Sequence, residues 1–401
     1  MPAPEGPRPG ELTILIEGWR WILHSYAVVT QYHLLELCKR PGLRLYFRDL
    51  PYLGAKWRPL RGLFRPDEEA VIEAVPPLPD GLVPDVALRL SVPYDLRPAA
   101  ARATVTFATA DMGMLPSAMI VGGQPLGDAQ RASGNWMLTP SRWSRGGLLR
   151  SGADPDTVLV VPHGIDTHRF RPVDAARRAA LRERLGWAGR FVFLHTGAMT
   201  GNKGVDLICQ TFARVARDHP EALLYFKGSD HTYRSTQLFE EAMSGLDAED
   251  RATIRSAMVY EGSAFDFDAM AELFQAADAY LSPYASEGFN MPVLEAVACG
   301  LPVICSAGGP TDDFVRDDFA RRVRTRLAGS QDGSIFLLVD PGDLEAAMRE
   351  ALRPGAWAEK ARFAGPAWAH RQFSWARVTD LLVEALCRAA GRPVPPIPAS
   401  P

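Results

Sequence analysis

From Arg190 onward, short apolar runs alternate with helix-period stretches almost without interruption. The runs are 191–195, 222–226, 257–260, 279–281, 303–305 and 335–339, and the helical stretches between and after them are 205–218, 236–243, 268–275, 292–299, 311–315 and 343–352. A run this short and this apolar reads as a strand buried on both faces, and strands joined through helices pair in parallel. The pattern therefore predicts a doubly wound parallel sheet.

The first half carries the same signal less regularly. Strands are expected at 12–17, 43–47, 86–90, 104–107, 136–138 and 158–161, with helices at 24–39, 67–74 and 141–149. The segment 161–172, VPHGIDTHRFRP, has no clean period and marks a junction, and apolar residues return at helical spacing over 357–389. The expected organisation is a flexible tail (1–10), one Rossmann-like domain (11–178), a second (179–370), a helix packing back toward the N-terminal domain (371–390) and a second tail (391–401). The expected fold class is α/β, two doubly wound parallel-sheet domains facing across a cleft.

Charge limits what such a chain binds. With 44 Lys+Arg against 47 Asp+Glu the formal charge is −3, so no global field attracts nucleic acid and any anion site must be local. Five cysteines without a CxxC pair read as reduced thiols of a cytoplasmic protein. No apolar run approaches the roughly 18 residues of a membrane-spanning helix, and the N-terminus lacks a secretory pattern.

In open parallel sheets ligands sit beyond the carboxyl ends of the strands, which directs attention to three loops. The first, FLHTGAMTGNKG (193–204), places Lys203 immediately before a helix, where a cation and free N–H groups make an anion site; alone it also fits a helix-starting turn with a solvated lysine. Its spacing is not that of a P-loop. The second, YASEGFNMPVLE (284–295), puts Glu287 in a loop, Gly288, Phe289 and Asn290 at a helix start, and Glu295 one turn inside. Backbone N–H groups there suit a diphosphate, and a neighbouring carboxylate suits ligand hydroxyls; Glu295 equally fits a first-turn glutamate complementing the helix dipole. The third, AGGPTDD (307–313), is glycine-rich, and Thr311 or Asp312 serves equally as a helix cap.

Taken together, the two glutamates within EGFNMPVLEAVACGLPVI, the upstream VVPHGIDTHRF, the HTGAMTGNKGVD turn, and YEGS before FDAMAELFQAADAYLSPY resemble, in the same order, the retaining family-four (group 1) glycosyltransferases of the two-domain GT-B fold. The resemblance covers roughly residues 12–385. It implies an acceptor-side N-terminal domain and a nucleotide-sugar donor domain. It further implies that Lys203, with Thr200 in the same turn, contacts the donor diphosphate, that Glu287 meets hydroxyls of the transferred sugar, and that Glu295 meets the ribose. The N–H groups of Gly288, Phe289 and Asn290 would hold phosphate and sugar, and Glu261, Gly262 and Ser263 would lie near the base. The donor is then a nucleoside-diphosphate sugar, UDP- or GDP-linked, acting as co-substrate. No further cofactor is expected, nor a metal, since no Asp-x-Asp or His/Cys cluster stands near these loops. Lys203 and Glu287 are the expected catalytic pair.

Three positions depart from the family pattern: Ala198 where an arginine is frequent, Asp111 near the place of a frequent histidine, and His163-Gly164 in place of Asn-Gly. On the acceptor side, Gly18 ends the first strand, Ser25 and Tyr26 open the next helix, and Asp111 stands in for the histidine; a turn and a helix cap explain Gly18, Ser25 and Tyr26 equally well. The acceptor is expected to be a hydroxyl of a glycan, a lipid-linked or a small molecule, in polysaccharide or glycoconjugate synthesis. The acid-free segment 52–65 carries Lys56, Arg58, Arg61 and Arg65 among aromatics, which fits either a solvated loop or contact with an anionic membrane surface. A nucleotide-sugar epimerase of the same architecture and a noncatalytic nucleotide-sugar-binding protein are the competing functions.

Overall fold

The computed structural model of the protein describes residues 10–353 and 355–395. The described residues form two compact units. One comprises the chain to Ala110, Met114–Gly164 and the chain from Trp375; the other comprises Asp111–Gly113 and Ile165–Ser374. Of the expected tails, residues 1–9 and 396–401 lie outside the described residues.

The first unit contains β1 (Leu12–Gly18), β2 (Leu43–Asp49), β3 (Val86–Leu90), β4 (Ala103–Phe107), β5 (Trp136–Thr139) and β6 (Val158–Val160). They form a six-stranded sheet in the order β2-β1-β3-β4-β5-β6, every pair parallel. All residues of β1 are buried, as a central strand covered on both faces requires. The helix Trp375–Ala390 belongs to this unit and packs on the helix Ser25–Leu37. The ring of Trp375 stacks on that of Tyr32 with centroids 4.9 Å apart, and His33 bonds to Thr379 at 3.3 Å.

The second unit contains β7 (Phe191–Thr196), β8 (Ala222–Lys227), β9 (Met258–Glu261), β10 (Ala279–Ser282), β11 (Val303–Ser306) and β12 (Ala320–Val323). Their order is β12-β11-β10-β7-β8-β9, again parallel throughout. Its core joins Phe193, Leu224, Phe226, Leu281 and Ile304 of the strands to Ile208, Phe212 and Val215 of the helix Val205–Asp218. The helix Ala175–Arg184 lies wholly in this unit, held by Arg178 and Arg182 to Asp278 at 2.6 and 2.9 Å, so the units divide before that helix and not within it.

Three expected elements differ. The run 335–339 is not a strand of this sheet: as β14 (Ile335–Val339) it pairs antiparallel with β13 (Thr325–Gly329) in a separate hairpin. The sheet edge is taken by β12, whose sequence ARRV hides the strand signal. An edge strand keeps one side open to water, so Arg321 can reach Asp343 and Arg322 can reach Asp317 without burying charge. The expected helix at 311–315 is a single turn, Pro310–Asp313, because Thr311 is drawn to the Tyr284 hydroxyl at 2.7 Å. The helical stretch 357–389 is two helices, Ala356–Phe373 and Trp375–Ala390, broken at Ser374.

The glycine of His163-Gly164 has a packing reason. A Cβ at Gly164 would lie 2.5 Å from the Trp375 ring. Overpacking of this kind destabilises by about 1–3 kcal/mol. Gly164→Ala is therefore expected to lower the unfolding free energy by that much, seen in equilibrium denaturation as a lower urea midpoint with an unchanged m-value.

Candidate active site

β7 and β10 are neighbours, yet the chain leaves β7 toward β8 and β9 and leaves β10 toward β11 and β12. At such a reversal the connecting segments part to opposite faces and open a crevice beyond the strand ends. The turns after β7 and β10 face each other across it. They are tied by main chain and side chain: Ala285 N–H donates to the Asn202 carbonyl and Asn202 Nδ2 to the Ser286 carbonyl, both at 2.8 Å, while Thr200 Oγ1 donates to Asn202 Oδ1 at 2.6 Å. At the end of this zipper Lys203 Nζ pairs with Glu287 Oε1.

Two backbone positions let the turns come so close. Gly204 has φ +71° and starts the helix Val205–Asp218; a Cβ there would lie 2.2 Å from the Pro283 carbonyl oxygen. Asn290 has φ +77°, left-handed for a residue with a side chain, and caps the helix Met291–Ala298. Its Nδ2 donates to Ser282 Oγ at 2.9 Å, which fixes the helix start to the end of β10. Two helix starts and one lysine thus point at one crevice, the arrangement that binds diphosphate.

Burial assigns the groups different tasks. The Phe289 ring packs on Phe314 with centroids 4.9 Å apart and is buried. Glu287 is buried but paired, and keeps one carboxylate oxygen beyond the Lys203 bond. Glu295 is half-buried by surface, yet protein encloses its carboxyl so closely that desolvation pushes it up to about 8. At neutral pH it is a protonated acid, able to donate as well as accept.

The ends of β8 and β9 are braced separately. Lys227, 3% exposed, donates to the carbonyls of Gly228 at 2.6 Å and Ser263 at 2.5 Å and lies 4.7 Å from the Phe265 ring centroid. Asp230 N–H donates to the Gly262 carbonyl at 2.8 Å, and a Cβ at Gly262 would strike the Asp230 carboxylate at 1.9 Å. Glu261 accepts from the Ser263 side chain and from Ser263 N–H, the latter at 2.7 Å, and these bonds hold its carboxyl below the usual range. Glu261, Gly262 and Ser263 are thus one shaped loop, two strands away from Lys203 in the sheet order.

In the first unit, Gly18 ends β1 where a Cβ would come within 3.1 Å of the Leu90 carbonyl and 3.2 Å of Thr30 Oγ1. Ser25 is exposed at the first turn of its helix, but the cap is His24, whose Nδ1 accepts from Tyr26 N–H at 3.2 Å. Tyr26 bonds to the Tyr94 hydroxyl at 2.7 Å and to Thr109 Oγ1 at 3.3 Å. Asp111 is exposed and groups with the second unit, not with Gly18, Ser25 and Tyr26. The cationic segment 52–65 is largely committed: Arg61 pairs with Glu73 at 3.0 Å and lies 3.4 Å from the Trp21 ring centroid, and Tyr52 donates to the Arg20 carbonyl at 2.7 Å. No helix among the described residues is long and apolar enough to cross a membrane.

Three residues escaped the motif search. Lys227 closes β8 and Asp230 follows it in FKGSD, a strand-end position whose polarity was the available signal. His195, near the end of β7, is 1% exposed; it opens the HTGAMTGNKGVD turn, but its own strand gives it no role.

The crevice, the strand order and the sequence converge. Residues 190–354 match the family model described as Glycosyl transferases group 1, a segment that holds every second-unit loop described above. The D-inositol 3-phosphate glycosyltransferase of Geodermatophilus obscurus is 33% identical over 248 residues, covering 60% of this chain and 49% of that protein. Mannosylfructose-phosphate synthase of Agrobacterium fabrum is 31% identical over 157 residues, covering 38% and 33%. The chain spans about half the length, or less, of these curated relatives. The solved structure of Anabaena HepE in complex with UDP-glucose matches with a TM-score of 0.67 at 12% identity, covering 94% of this chain and 100% of that one, a likeness of fold. The fold is of the GT-B type, with two parallel α/β sheets. Residues 190–354 are thus similar to group 1 glycosyltransferases, the family that the sequence motifs resemble.

The raised carboxyl of Glu295 makes stability depend on pH. Between an ordinary 4.5 and about 8, the folded chain keeps a proton that the unfolded chain has lost, so stability falls as pH rises through that window. Glu295→Gln removes this dependence. The variant's melting temperature should gain steadily on wild type from pH 5 to pH 8 and then hold its lead; a pH-independent difference in thermal melts would show that Glu295 titrates normally.

Proposed function

We propose that the protein is a retaining glycosyltransferase that moves a sugar from a nucleoside diphosphate, UDP- or GDP-linked, to an acceptor hydroxyl without a metal ion. The observation that carries this is the Lys203–Glu287 pair set between two helix starts at the strand reversal. A diphosphate accepts from the N–H groups of 288–290 and from Lys203, and these groups stabilise the negative charge that grows as the bond to the sugar breaks. Glu287 is then released to accept from hydroxyls of the sugar. The acceptor hydroxyl attacks from the face the diphosphate leaves, passing its proton to a phosphate oxygen. Glu295 is assigned to the ribose, Glu261, Gly262 and Ser263 to the base, and Thr200 to the diphosphate turn.

Gly18, Ser25 and Tyr26 are proposed for the acceptor side. The names of the curated relatives, an inositol phosphate transferase and a sugar phosphate synthase, favour a small hydroxylated acceptor over a polysaccharide. A nucleotide-sugar donor and free cysteines support a cytoplasmic reaction.

A thermal-shift panel of UDP- and GDP-sugars is the first test. A donor at 100 times its Kd should stabilise the protein by about 2.7 kcal/mol, and no shift with any member would contradict the assignment. Glu287→Ala should remain folded by circular dichroism and lose transfer by at least ~100-fold in kcat. Incubation with donor alone separates a transferase from an epimerase, which would release an altered nucleotide sugar.

A further inference from the structure

His195, near the end of β7, leaves half of its hydrogen-bonding capacity unused. Its Nδ1 lies 2.8 Å from the Leu281 carbonyl oxygen. A carbonyl only accepts, so Nδ1 carries the ring proton and Nε2 is a bare lone pair. Nε2 is buried and has no partner among the described residues. Burial pushes the ring down to about 4, and the Lys203 ammonium is close enough that its charge disfavours protonation further. The imidazole is therefore neutral and an acceptor at physiological pH. Its orientation is fixed by the Leu281 bond, by a parallel Tyr280 ring at 6.5 Å and by the edge of Phe226 at 5.6 Å.

A buried acceptor without a donor is unfavourable unless some state of the protein fills it. Lys203 is the donor within reach of that state. Its stem runs across Gly197, two residues beyond His195, where a Cβ would meet Lys203 Cε at 3.6 Å. Its present partner, Glu287, is the group that sugar hydroxyls would claim.

We propose that His195 is a positioning residue that receives a Lys203 N–H at Nε2 when ligand engages Glu287, keeping the ammonium beside the diphosphate. The proposal rests on the donor assignment above and adds a partner exchange to it: Lys203 alternates between a carboxylate in the empty site and an imidazole in the filled one. A neutral acceptor suits the second state because it holds the ammonium without neutralising the charge the phosphate needs.

The test is titration calorimetry with UDP and GDP on wild type, His195→Phe, His195→Gln, Lys203→Ala and the double variant His195→Phe/Lys203→Ala. Phenylalanine keeps the ring among its aromatic neighbours and removes both nitrogens; glutamine restores a donor for Leu281 and an acceptor for Lys203. Far-ultraviolet circular dichroism first establishes that each variant is folded. His195→Phe is expected to weaken nucleoside diphosphate binding about 10-fold and His195→Gln no more than about 3-fold. In the Lys203→Ala background His195→Phe should add less than 2-fold. Equal losses in both backgrounds would mean a purely structural histidine and overturn the proposal, as would wild-type affinity in His195→Phe. If wild type itself binds neither nucleotide, the donor assignment falls and this inference with it.

Discussion

The second sheet's carboxyl edge is governed by how closely the turns after β7 and β10 approach each other. Gly204 lies under the Pro283 carbonyl with no room for a side chain, and from that contact the rest follows. Asn202 can reach across to residues 285 and 286, Lys203 can meet Glu287, and two helix starts converge on the same space. A larger residue at 204 would push the turns apart, and every one of these bonds would lengthen together.

The crevice also brings local positive potential into a nearly neutral chain. Peptide dipoles at the two helix starts supply the positive field, the Lys203–Glu287 pair being neutral as a unit, and neither neighbouring carboxylate opposes it. Glu287 is neutralised by its ion pair, and Glu295 by desolvation, which keeps it protonated. Lys227 is likewise taken up, its ammonium turned inward to two carbonyls so that it shapes the loops of β8 and β9 and contributes little to the field of the crevice.

Much of this was legible in the sequence because parallel strands buried on both faces must be short apolar runs, and helices between them must repeat near 3.6 residues. That rule finds β7, β8, β10 and β11 with little error. It fails at β12, where two arginines sit in a strand that one open edge keeps wet, and at 335–339, whose apolar run pairs in a hairpin instead. The donor-side loops were readable because glycine, lysine and glutamate stand out at strand ends. His195 was not, since its meaning lies in a carbonyl on β10 and a lysine beyond its own strand, contacts no local pattern encodes. Nor was the need for Gly164, which depends on a tryptophan far along the chain.

The helix Trp375–Ala390 has a consequence for the order in which the protein is made. It completes the first unit from the far end of the chain: His33 waits for Thr379, 346 residues later, and Tyr32 for Trp375. The second unit is apart from three residues a continuous insertion, Ile165–Ser374, and holds all its strands before that helix is synthesised. On the ribosome the second unit can thus close its core while the first sheet, although translated earlier, still lacks the helix that covers it, so of the two units the one translated first is finished second.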